Sequence, residues 1–327
     1  MASAYDLAFL CRLTLSRSSL VSLSSCTEVR SDICLWFYGN MDKSVDVLQA
    51  AASGERGIGR CSRRRNELCA WRQRPKNRGS LSKAMPKHAA LYEELAPYYD
   101  QIYHWKDYRK EASKIRALIH DFQLSTGKDL LDVACGTGRH LSYLRRYFDC
   151  MGIDASEKML RLARENAPGV QFSKGDMLDF DAGRQFDVVL CLFSSIGYLK
   201  TAGDARKALL NFANHLKKGG VMIVEPWLRK SEWRDKSVSL QSYNGDSAKI
   251  ARVSFAWAKG DFSELDEHYL IGVKGKGVKH VRDLQRLKFF EVEPTLHILR
   301  KAGLDARFSD DSLMPGRGLL IATKLLG

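Results

Sequence analysis

At 327 residues the chain is long enough for one large or two small domains with a substantial buried core. Its 52 basic and 38 acidic residues leave a net charge of +14, but residues 1–84 hold 14 Lys/Arg against 7 Asp/Glu and so carry half of that excess; the rest of the chain does not imply nucleic-acid binding. No apolar run reaches the roughly 18–20 residues needed to cross a bilayer, and eight cysteines without C-x-x-C spacing indicate neither a zinc site nor a disulfide framework.

Residues 1–84 read as a basic, disordered N-terminal extension. Serine is dense over 16–25, residues 60–78 form a basic tract punctuated by Gly and Pro, and no helical or strand period persists. The first 30 residues contain Arg and Ser with few acids, as organellar targeting segments do, although Asp6 counts against that role. A start at Met85 is the rival reading. Cytoplasmic location with reduced thiols is the expectation, Cys135 and Cys191 being small packing residues.

From Met85 the composition becomes globular, and residues 85–327 read as one domain. An aromatic-rich stretch with Tyr98, Tyr99, Tyr103 and Tyr108 leads into an amphipathic helix over Lys110–Phe122, carried by Ile115, Leu118, Ile119 and Phe122. An apolar run, Leu130–Ala134, then stops at Gly136-Thr137-Gly138, and a helical segment follows over Arg139–Phe148. A buried strand, a glycine turn and a helix open a doubly wound α/β domain. The glycines let the backbone approach a ligand closely.

The acids indicate which ligand. A dinucleotide fingerprint needs a third glycine where Leu141 stands, and Asp132 just before the turn would repel a pyrophosphate but attract an ammonium. S-adenosylmethionine (SAM) carries an ammonium, a carboxylate and a sulfonium, and no phosphate. Asp154, 22 residues on at the end of the second strand, suits ribose hydroxyls. Asp176 and Met177, after a third strand over Val170–Phe172, suit an adenine. A nicotinamide oxidoreductase is disfavoured by Leu141 and Asp132.

The rest alternates regularly. Ser156 caps a helix running to Asn166, Phe186–Phe193 is a strand buried on both faces, Asp204–Leu216 is a helix, and Val221–Val224 is a strand ending in Glu225-Pro226-Trp227. The period then changes. Ile250–Trp257, His268–Val273 and Val278–Phe290 are extended, giving an added antiparallel sheet over about 238–290. A helix over Glu293–Ala302 and a last strand over Gly318–Thr323 close the chain.

D-V-A-C-G-T-G, G-I-D-A-S, G-D-M and F-D-V-V-L, in that order, resemble the class I SAM-dependent methyltransferases. The resemblance implies a mostly parallel seven-stranded Rossmann-like sheet and SAM as cofactor. It implies cofactor contacts at Asp132, Ala134, Gly136, Gly138, Asp154, Ala155, Asp176, Met177, Leu192 and Phe193. It also implies a lid made by the Tyr99-Asp100-x-x-Tyr103 element. After the fourth strand there is neither the Asn/Asp-Pro-Pro-aromatic turn nor the Pro-Cys pair of the base methyltransferases. F-S-S-I-G, E-P-W and G-R-G-L, within about Leu91–Lys324, instead resemble the N,N-dimethyltransferases of nucleotide-linked amino sugars in macrolide-sugar biosynthesis. That group has a histidine after S-S-I-G where this chain has Tyr198.

A phenol with a pKa of about 10 is a poor base at neutral pH, so Tyr198 is expected to orient the acceptor rather than deprotonate it. Glu225, Trp227, Arg252 and Arg317 are the other substrate candidates, the arginines as grips for a diphosphate. The expected partners are a small-molecule substrate, an amine nitrogen foremost, and a second copy of the chain; membrane and nucleic acid are not expected. The alternatives are an O- or N-methyltransferase of another metabolite, with the breadth of glycine N-methyltransferase, and a catalytically silent SAM-binding protein that holds a partner with its basic arm.

Overall fold

The computed structural model describes residues 89–326. The expectations for residues 1–84, a disordered extension and targeting by residues 1–30, lie outside the described residues.

A seven-stranded sheet forms the centre, in the order β10-β11-β5-β4-β1-β2-β3. Its strands are β1 (Asp129–Val133), β2 (Asp149–Asp154), β3 (Gln171–Lys174), β4 (Phe186–Cys191), β5 (Leu216–Val224), β10 (Leu304–Ser309) and β11 (Leu319–Lys324). The first five pair in parallel, and β11 runs antiparallel to both β5 and β10. The strand order reverses between β1 and β4, and that switch point opens a crevice at the strands' carboxyl ends.

The helices are α1 (Tyr99–Ile102), α2 (Tyr108–Phe122), α3 (Arg139–Leu144), α4 (Glu157–Asn166), α5 (Ala202–Asn214) and α6 (Val292–Lys301). Alternate strand residues serve opposite faces of the sheet. Leu130, Val188, Leu190 and Ile223 pack with Ile115 of α2 and Leu141 of α3. Leu131, Val189, Met222 and Val224 pack with Phe212 of α5 and Leu299 of α6. All six residues of β4 are buried, as a strand covered on both faces requires. The helix starts are chemically marked. Asp107 accepts from Lys110 N, Ser156 from Met159 N, and Thr201 forms a reciprocal capping box with Asp204.

Several boundaries differ from the sequence reading. The helix expected over 139–148 ends at Leu144, because the chain must turn back at Tyr147, whose N–H bonds Leu144 O, to enter β2. The helix expected over 204–216 spans 202–214, and β5 begins at Leu216 instead of Val221. There the pairing with β4 jumps from Phe186 to Val188 and accommodates the Lys217–Gly220 run, whose Gly219 has φ +75°. Strand β10, whose L-D-A-R-F-S alternates apolar and polar residues with Leu304 and Ala306 buried, is an addition to the strands read from the sequence.

The added antiparallel sheet has four strands: β6 (Ser237–Asn244), β7 (Ala248–Lys259), β8 (Phe262–Val273) and β9 (Gly277–Lys288). It runs from Ser237 to Lys288 and adds β6 to the three extended segments read from the sequence.

In the turn after β1, Gly138 has φ +70°, and a Cβ there would lie 3.0 Å from Ala163 Cβ and 3.2 Å from Ala163 Cα. Gly138→Ala combines left-handed strain with overpacking against α4, and a loss of about 2–4 kcal/mol in unfolding free energy is expected, read from urea midpoints. A loss under about 1 kcal/mol would show that the turn has slack.

Candidate functional site

A cavity of about 660 Å³ opens over the switch point. Its floor is the turn after β1. Ala134, Gly136 and Gly138 all have positive φ, so the chain folds back sharply there. The turn is tied to β2 by Cys135 N to Ile153 O (3.0 Å) and by Gly136 N to Asp154 Oδ2 (2.8 Å). The other Asp154 oxygen accepts from Ser156 N (2.8 Å) at the start of α4. The two Asp154 oxygens therefore hold the rims of both the β1 and β2 turns.

Asp132 lies on the floor at 2 % exposure, and its Oδ1 has no partner among the described residues. Burial, with the nearby Asp154 charge, pushes its carboxyl up to about 8. A buried carboxylate oxygen without a donor suits a guest that brings an ammonium. Backbone positions with positive φ leave room for close approach. The residues present fit SAM on both counts, and two floor acids argue against a phosphate guest. Burial also pushes the thiols of Cys135 and Cys191 up, so neither is a nucleophile at neutral pH.

The wall contains Tyr99, Ala134, Gly136, Ala155, Met177, Leu192, Phe193 and Tyr198 among the sequence candidates. The segment of residues 99–103 is tied to the floor. Asp100 accepts from Thr137 Oγ1 (2.7 Å) and from Asn166 Nδ2 (3.0 Å). Tyr103 stands behind this wall, its ring centroid 4.9 Å from Tyr99 and 5.0 Å from Phe193. Gly138 sits under the turn against Ala163 instead of facing the cavity. Asp176 is exposed outside the wall and caps its own turn by accepting from Leu178 N (3.0 Å).

The tail of β4 is strained. Phe193 and Ser194 have φ values of +52° and +64°, two successive left-handed residues that are not glycine. The E-P-W segment holds them. Phe193 N donates to Glu225 Oε2 (2.8 Å), Ser194 N to Glu225 O (3.1 Å), and Ser194 Oγ to Pro226 O (2.7 Å). Glu225 is fully buried, and burial raises its carboxyl above the usual range.

The other substrate candidates also support the wall from behind. Trp227 donates to Ser263 Oγ (2.9 Å). The Arg317 guanidinium lies 5.0 Å from the Phe193 ring and 5.1 Å from Trp227. Arg252 donates to Tyr103 OH (3.2 Å) and stands 3.5 Å from Glu267. None of the four lines the cavity.

Residues the sequence reading missed complete the wall, among them Tyr92, Thr137, His140, Lys200, Phe262, Gln285 and Arg286. His140 is held by Glu111 (2.7 Å), which also receives the buried Lys106 (2.5 Å). Burial opposes ionisation of Glu111, but these two partners bring its carboxyl below the usual range. Tyr92 and Tyr198 meet through their hydroxyls (2.9 Å), and Tyr198 donates to Gln285 Oε1 (2.5 Å). Burial raises both phenols well above 10, so they stay protonated. The one sequence signal for Gln285 was its place in an alternating strand, at an inward position otherwise suited to an apolar residue.

Comparison with known proteins agrees with this geometry. A methyltransferase-domain family model matches residues 130–220. The chain is 37% identical over 235 residues to the dTDP-3-amino-3,4,6-trideoxy-alpha-D-glucopyranose N,N-dimethyltransferase of Streptomyces venezuelae, covering 71% of this chain and 98% of that one. The crystal structure of Streptomyces venezuelae DesVI superposes with a TM-score of 0.67 at 37% identity, over 70% of this chain and 98% of that one. The SAM-bound structure of CalS10, an amino pentose methyltransferase from Micromonospora echinaspora, gives 0.63 at 31% identity, over 71% and 97%.

Proposed function

The chain belongs to the SAM-dependent amino-sugar N,N-dimethyltransferases, and from that premise we propose that its acceptor is the primary amine of a nucleotide-linked amino sugar. It is a SAM-dependent methyltransferase acting on a small molecule. SAM, when bound, supplies a methyl group on a sulfonium. The chain's own residues do the rest. Asp132 receives the ammonium, while Asp154 keeps the two turns in place and faces the ribose. Tyr99, Leu192 and Phe193 keep water from the reacting atoms, where a vanishing sulfonium charge favours a water-poor site. Tyr198 and Tyr92 hold the acceptor nitrogen in line. Holding two reactants so can contribute on the order of 7–11 kcal/mol of barrier reduction.

The observation that carries this reading is the unpartnered Asp132 oxygen on a floor of acids, beside a wall that includes the protonated phenols of Tyr92 and Tyr198. The test is incubation with SAM and a panel of thymidine-diphosphate amino sugars, followed by mass spectrometry. Products one and two methyl groups heavier are expected. Normal S-adenosylhomocysteine binding with no methylated amine anywhere in the panel would reject this acceptor class.

Two further expectations concern the outer face of the added sheet and the compartment. The outer face of the added sheet exposes Val238, Leu240, Val253, Phe255 and Leu270, with Val238 opposite Phe255 and Leu240 opposite Val253. An exposed apolar face of this sort suits a second copy of the chain. No helix among the described residues is long and apolar enough to cross a membrane, and a nucleotide-linked substrate suits the cytoplasm.

A further inference from the structure

The polar network behind Tyr198 has a direction. Along β9, Val281, Asp283, Gln285 and Leu287 are buried, and the residues between them are exposed. Asp283 accepts from Ala90 N (3.0 Å), Leu91 N (3.1 Å) and Gln285 Nε2 (3.0 Å). Glu267 on β8 accepts from Tyr269 OH (2.6 Å) and Gln285 Nε2 (2.9 Å) on one oxygen. Ser254 Oγ donates to its other oxygen (3.3 Å), with Arg252 at 3.5 Å.

Asp283 takes backbone N–H donors on both oxygens, and the Arg252 guanidinium stands beside Glu267. The end of Gln285 that bridges them must therefore be its NH2, and both of its protons are used there. Its amide oxygen consequently faces Tyr198, which spends its single hydroxyl proton on it. The Tyr92 hydroxyl must then donate to the Tyr198 oxygen, spending its proton too. Toward the cavity that both tyrosines line, the two phenols can offer lone pairs only.

We propose that Gln285 is a positioning residue that makes Tyr198 an acceptor of hydrogen bonds, so that the site selects a nucleophilic atom still carrying a proton. The inference rests on the amine-acceptor reading above and assigns the source of its selectivity. A primary amine donates one N–H to Tyr198 while its lone pair forms the N–C bond. The S–C electron pair returns to sulfur, S-adenosylhomocysteine leaves, and the proton shed by the product ammonium passes to water. The monomethyl amine has one N–H left and can bind the same way. The neutral dimethyl amine has none, so transfer stops after two methyls.

The test is a double-mutant cycle of Gln285→Leu and Tyr198→Phe in the full-length enzyme with SAM and a nucleotide-linked primary amino sugar. Gln285→Leu should lower kcat/KM for the amine about 10–100-fold, the range expected when a buried polar partner is lost, and leave S-adenosylhomocysteine affinity within about twofold. In the Tyr198→Phe background it should cost little more, because its effect passes through that hydroxyl. If Tyr198→Phe is too slow to time, calorimetric affinity for the sugar in the presence of S-adenosylhomocysteine replaces kcat/KM in the same cycle. Equal losses in both backgrounds, a parallel loss of S-adenosylhomocysteine affinity, or a trimethylated product from the wild type would each overturn the role of Gln285 while leaving the amine reading in place. A wild type that methylates no amine would overturn both.

Discussion

Asp154→Ala should weaken S-adenosylhomocysteine binding by at least about 100-fold, measured by calorimetry. The side chain does two jobs. Its oxygens accept from Gly136 N and Ser156 N, both at 2.8 Å, and so join the turn after β1 to the start of α4. Charge-assisted bonds of this kind contribute about 1.5–3 kcal/mol each, and alanine leaves both N–H groups without that partner. The same carboxylate is the sequence-predicted partner of the ribose, so ligand contacts go with it. Asp154→Asn separates the two losses. Its amide can accept from one N–H but turns a donor toward the other, and an intermediate loss is expected. Urea midpoints measured alongside would show how much of the effect is misfolding. Unchanged affinity in Asp154→Ala would mean that the cavity described above is not the cofactor site.

The second large effect concerns Asp132 and pH. Burial, then the Asp154 charge, pushes its carboxyl up to about 8, so in the free protein at pH 7 it is mostly protonated. An ammonium guest favours the ionised form, so binding at pH 7 should release close to one proton. Affinity should rise with pH, by up to about tenfold per unit, until about pH 8 and then level off. Calorimetry in buffers of different ionisation enthalpy counts the proton directly, and Asp132→Asn should abolish the release while weakening binding.

Stability moves the opposite way. The folded carboxyl titrates above its unfolded value of about 3.9, so the folded state holds the extra proton between about pH 4 and pH 8. Stability of the free enzyme is therefore full below that window and falls as pH rises through it, by about 6 kcal/mol at most. Asp132→Asn should accordingly raise the urea midpoint at pH 8 while lowering ligand affinity. A variant that lost both stability and binding would show that Asp132 is a structural residue and not an unsatisfied partner for the ligand.

Residues close in the chain made much of this legible in advance. The abrupt stop of an apolar strand at Gly136 and Gly138, with acids at positions 132 and 154, depends on backbone freedom and local charge. Both are properties of short segments, so the α/β architecture, the cofactor class and the antiparallel addition could be read from the sequence. The helix cap at Ser156 is local for the same reason.

The roles of Glu225, Trp227, Arg252 and Arg317 were not legible. They follow from which way a side chain turns once β5, β7 and β11 have packed, and all four turn behind the wall. Tyr92 and Gln285, 193 residues apart, entered the site only because the added sheet closes over the first turn of the domain, where the Asp283 carboxylate takes the N–H groups of Ala90 and Leu91. The sequence alone determined that this protein folds an acid-floored glycine turn for an ammonium-bearing cofactor, since strand, turn and charge are written within about 25 residues. Which atoms meet the substrate was decided only in three dimensions. Hydrogen-bond direction is a property of a closed network, and this one closes across strands far apart in the chain.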